Sequence, residues 1–218
     1  MSIVALEPLS IVAAALVTLT ALLLLAISDW RLSILLIAIQ YTGVFLLVAM
    51  NWPVPMAIAK LVVGWIAGAV LGMAFNNSPE LRQAYQSRIA TGRAPTRPGA
   101  KLSSAFSFYL FAALAVIVLI SMAFLSRTTV FSNWLPDLQP AQAWGAMVLI
   151  GIGLVKLGFT TQPLHTILGL LTAFSGFEII YAQAEPSALV AELLAGITLG
   201  LAMAGVYLLL APAMREDE

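Results

Sequence analysis

The sequence predicts an all-α fold, a polytopic transmembrane helix bundle of about seven spans. Three observations carry this reading. Of the 218 residues, 61% are hydrophobic and 9% charged, where a soluble domain carries about 45–50% and about 25%. Mean hydropathy is +1.01, more apolar surface than a water-soluble core of this length can enclose. The few charges also fall between apolar runs of about 20 residues, the length that crosses a bilayer as a helix.

Composition excludes several functions. Ten basic and ten acidic side chains cancel, so no bulk charge points to nucleic acid. The absence of cysteine removes disulfides, thiolate catalysis and Cys-ligated clusters. A single histidine argues against haem or a multi-His metal site. No Ser/His/Asp set, HExxH or P-loop occurs. The expectation is a chain with no cofactor of its own and no catalytic residue.

The spans follow in order at 8–28, 32–51, 55–75, 103–126, 141–158, 163–183 and 187–211. Pro8, Pro55 and Pro163 stand at or near first-turn positions, where a missing N–H costs nothing. The first span has Glu7 in place of a basic leader and a long apolar run, so it reads as retained rather than cleaved. The chain divides into a three-span unit at 1–75, a basic loop at 76–102 and a four-span unit at 103–218. That loop carries Arg82, Arg88, Arg93, Arg97 and Lys101 against Glu80 alone, which places it in the cytoplasm. Counting outward puts the N-terminus outside and the C-terminus inside. Within the loop, Ser78-Pro79-Glu80 has the chemistry of a helix start, with a cap, a proline at N1 and an acid in the first turn. A surface helix to about Arg88 is expected, then an extended Pro- and Gly-rich strap suited to a peripheral subunit or to lipid headgroups. Trp134 and Trp144 are expected in the outer aromatic belt.

Ionisable residues at membrane depth are rare and costly, so each is a candidate. Five qualify: Lys60, Lys156, His165, Glu178 and Glu192. With a rise of about 1.5 Å per residue, Lys60 and Glu192 lie roughly 8 Å, and Glu178 roughly 9 Å, below one face. Three spans thus bring two acids and one base to one layer, where Lys60 is expected to pair with Glu192 or Glu178. The layer reads as an ion pair that fixes packing, as a proton-exchanging carboxylate beside a lysine, or as side chains snorkelling toward the outer headgroups. Lys156 is expected to snorkel toward the inner face, with His165 near it across a short turn. Gly64, Gly68 and Gly72 form a small-xxx-small stripe that suits a tight partner helix. Gly151, Gly153, Gly158, Gly196, Gly200 and Gly205 suggest further close contacts.

The segment from Ile167 through Phe174, Gly176 and Glu178 to Tyr181 resembles a helix of NuoK-type subunits of respiratory complex I, in which a membrane glutamate follows a glycine. Val190-Ala191-Glu192, with Gly196 beyond it, is similar to that subunit's next helix and its second glutamate. The wider chain, with Arg31-Leu32-Ser33 and Ile58-Ala59-Lys60, resembles component E of the energy-converting hydrogenases (HyfE-like). The resemblance implies a NuoK-like three-helix unit near the C-terminus and an accessory role in an ion-translocating complex, scaffolding or bordering a proton pathway. It also implies antiporter-like membrane subunits as partners, with quinone- or hydrogen-linked redox chemistry outside this chain, and a bacterial or archaeal cytoplasmic membrane. Aligning Gly169 and Gly176 with component E puts that family's sixth-helix glutamate on Phe174 and a later acid near Thr198. A subunit of a multi-subunit cation/proton antiporter, a stand-alone small transporter and a structural anchor are the other readings.

Overall fold

A computed structural model of the chain describes residues 3–78, 138–160 and 162–214, together with 83, 113, 115–121 and 123. Among these, all regular structure is helical. The helices are α1 (Ile3–Ala26), α2 (Trp30–Val48), α3 (Val54–Asn76), α4 (115–121), α5 (Pro140–Phe159), α6 (Pro163–Ala184) and α7 (Ala188–Met214). Six of them, α1–α3 and α5–α7, are long and apolar enough to cross a membrane. The protein is therefore a multi-pass helical membrane protein in architecture. Apart from residue 83, the predicted surface helix after Ser78 lies outside the described residues, as do Trp134 and the fourth span apart from 113, 115–121 and 123.

The helix ends follow the local chemistry of the sequence. Pro55, Pro140 and Pro163 each occupy a first-turn position. The Asp29 carboxylate caps α2, accepting from the Arg31 amide at 2.9 Å. The α1 helix begins five residues earlier than the apolar run implies, so Pro8 lies inside it. The other boundaries differ from the sequence reading by at most three residues.

Glycine contacts fix the directions. A Cβ on Gly64 would collide with the Tyr41 ring, one on Gly68 would sit 3.4 Å from Ile37, and one on Gly72 would sit 3.2 Å from Ile34. As α3 descends, α2 therefore ascends beside it. The predicted small-residue stripe is real packing, and the helix it receives is the chain's own α2. Gly153 and Gly176 let α5 and α6 approach as an antiparallel pair, since a Cβ at either would meet backbone of the other helix. By contrast, Gly158, Gly196 and Gly200 face nothing within 4 Å.

The end of α3 meets the start of α2, with the Phe75 and Trp30 rings 4.9 Å apart. The start of α5 meets the end of α2, where the Gln142 amide donates to the Leu47 carbonyl at 2.8 Å. So α3 and α5 run the same way. Helices from the two sides of the basic loop pack together: α1 on α5, α2 on α6 and α3 on α7.

Candidate functional site

Buried apolar residues form two clusters stacked along the bundle. One includes Val44, Ala57, Ile179 and Leu194; the other includes Ile37, Ala67, Leu171 and Ala202. On α2, α3, α6 and α7 alike, a polar residue stands between the two: Gln40, Lys60, Ser175 with Glu178, and Thr198. Every one of these side chains is buried. A polar layer thus cuts the core across four helices.

At its centre Lys60 forms a buried ion pair with Glu178. The ammonium also donates to Thr198 Oγ1 at 2.6 Å. The Thr198 hydroxyl has two acceptors for its one proton, Glu178 Oε1 at 3.1 Å and the Leu194 carbonyl at 3.0 Å. The three groups close a triangle whose corners come from α3, α6 and α7. Aromatic faces complete the enclosure, with Lys60 Nζ 5.7 Å from the Phe174 ring centre and 6.0 Å from that of Tyr41. Gly64 is what admits the Tyr41 ring beside α3. Next to the triangle, the Gln40 amide reaches Ser175 Oγ at 3.4 Å. Glu178 Oε2 has no protein partner among the described residues, so the carboxylate keeps one oxygen able to bind a proton or a donor.

The five ionisable candidates separate into three places. Lys60 and Glu178 pair as one of the two expected alternatives. Glu192 does not join them: it is exposed, and Thr198 occupies the position beside Lys60. The buried face of α7 runs through Ala191, Leu194, Thr198, Ala202 and Leu209. At about 100° per residue, Glu192 is turned off that face by its place next to Ala191. Depth along an axis says nothing about azimuth, and azimuth decides here.

Lys156 and His165 lie at the other end of α6, since the 13 residues from His165 to Glu178 span about 20 Å. Lys156 does not snorkel. It is buried, and its ammonium donates to the Leu24 carbonyl. That carbonyl is one of the last of α1 and lacks an intrahelical donor, so the lysine caps a helix whose end carries partial negative charge. His165 is buried beside Lys156, with a hydrogen bond to the backbone of Ser28. Fully buried Leu168 and Leu171 stand between this end and the polar layer. The hydroxyls of Thr172 and Ser175 donate to carbonyls of their own helix.

Sequence reasoning passed over Gln40, Tyr41, Ser175 and Gln142. The signal for Gln40 is plain afterwards: it is an amide in an otherwise apolar span. Gln142 serves two helix ends at once, accepting from the Gln139 amide at 3.1 Å and donating to Leu47. Trp144 is half-buried, and its indole N–H donates to Thr18 Oγ1 at 3.1 Å.

The fold and this layer define a class: a multi-pass helical membrane protein with a charged lock buried in its core. The chain matches no known protein family, no curated protein and no solved structure.

Proposed function

We propose that the chain is an accessory integral membrane subunit of a complex I-like or energy-converting hydrogenase-like ion-translocating assembly, in a bacterial or archaeal cytoplasmic membrane. Its N-terminus lies outside and its C-terminus inside. The observation that carries this reading is the surroundings of Lys60. Alignment with component E assigns acids to Phe174 and Thr198, and both side chains lie against the Lys60 ammonium. The layer thus occupies the place that the resemblance gives to membrane carboxylates, with Glu178, one turn from Phe174, as its acid.

Within that assembly the chain borders and braces a proton pathway. Leucines separate the layer from Lys156 and His165, and the neighbouring hydroxyls turn back onto their own helix. The experiment is purification from the native membrane in mild detergent, with the co-purifying chains identified. Antiporter-like and redox subunits are expected. A monodisperse single chain rejects the proposal.

A further inference from the structure

A second polar feature lies at the end of the bundle where α2 begins and α3 ends. There a groove of about 380 Å³ lies on the surface between the two helices, within the roughly 300–1,000 Å³ of small-molecule sites. Trp30, Arg31 and Ile34 line one wall, and Ala69, Gly72 and Met73 the other. The groove has two chemical zones. From Asn76 at its lip to Ala69 it runs down α3 for about 10 Å, over an apolar floor. At the lip stands Arg31, the only exposed basic side chain among the described residues.

The charge at that lip is unanswered. The Arg31 guanidinium lies 5.3 Å from the centre of the Trp30 ring and makes no ion pair among the described residues. Asp29 is nearby and exposed, but its carboxylate accepts from the Arg31 backbone amide. The α2 N-terminus adds the positive end of a helix dipole. Beyond Asn76 the chain continues into a segment with five basic residues against one acidic. A cation at the level of a helix end above an apolar trough complements an anionic amphiphile, with its phosphate on the cation and its chain in the trough.

We propose that this groove binds one anionic phospholipid, its headgroup phosphate on Arg31 and an acyl chain along Ile34, Ala69 and Gly72. Gly72 is the residue that keeps the trough open, because a Cβ there already comes within 3.2 Å of Ile34. The site is independent of the Lys60 layer and of the proposed assembly.

Native mass spectrometry of the purified protein tests it, with phosphatidylglycerol or phosphatidylcholine supplied at equal concentration. One retained phosphatidylglycerol is expected, preferred over phosphatidylcholine and undisturbed by millimolar inorganic phosphate. Arg31→Gln should weaken retention about fivefold, the loss of one basic contact to an anionic headgroup. Gly72→Leu should abolish it. Met73→Trp, which fills the trough from an exposed position, serves if Gly72→Leu does not fold. Equal retention of the two lipids, or retention unchanged in Arg31→Gln and in the filled groove, overturns the proposal. Displacement by inorganic phosphate also overturns it, since the site would then be one for free anions.

Discussion

Lys60 and Thr198 meet at 2.6 Å across 138 residues of sequence, and Glu178 bonds to both. A threonine hydroxyl can donate and accept at once, so it serves the ammonium and the carboxylate together. The pair is thereby held within three helices and away from lipid.

Breaking that pair on one side leaves a buried charge, which costs about 3–5 kcal/mol. Glu178→Gln should accordingly lower the melting temperature in mild detergent sharply. Adding Lys60→Met should recover part of the loss, because both charges are then gone. Glu192→Gln should leave the temperature unchanged, as that residue is exposed. Equal melting of the two single variants would show that the ion pair does not stabilise the bundle.

The same double variant separates bracing from conduction. With Lys60→Met and Glu178→Gln together, the assembly should form and ion translocation should persist. Normal assembly with translocation lost would place Glu178 in the proton route itself.

Much of this was legible in the sequence, because the information was one-dimensional. Apolar length and proline positions locate helices, and six spans fall within a few residues of their predicted ends. Intramembrane charge picked out Lys60 and Glu178 for the same reason, since no such pair is retained cheaply. What sequence could not supply was rotation about each axis. Glu192 and Thr198 are six residues apart, yet only Thr198 faces α3. The partner of the glycine stripe was hidden likewise, because a small residue announces a close neighbour without saying whose.

Gly64 and Gly68 distinguish two grades of closeness. Gly64→Ala should destabilise by about 1–3 kcal/mol, the usual effect of forcing atoms into a filled core, here against the Tyr41 ring. Gly68→Ala should be near neutral, since its Cβ would make ordinary contact with Ile37. Gly196→Ala should change nothing in the isolated chain. Thermal unfolding of the three variants in one detergent gives the order.

Lys156→Met should remove the donor to the Leu24 carbonyl and cost about 1–3 kcal/mol, as expected for a buried acceptor left unpaired. Hydrogen exchange should then rise in the last turn of α1 before anywhere else. Uniform exchange across α1 would show that the lysine does not hold that end.

The directions of the helices give a labelling test in this cysteine-free chain. Cysteines at Ser28 and Ser187 should react with an impermeant thiol reagent from opposite faces, Ser187 from outside. Labelling of both from one face would reject the arrangement.

The separation of Lys60 from Glu178 by 118 residues has a bearing on biogenesis. At about 5–20 residues per second, synthesis reaches the glutamate roughly 6–24 s after the lysine. For that interval α3 lacks the Glu178 carboxylate that pairs with Lys60 in the finished bundle, and an unpaired charge at membrane depth is costly. A chain interrupted before α6 therefore lacks the carboxylate that Lys60 pairs with in the finished bundle.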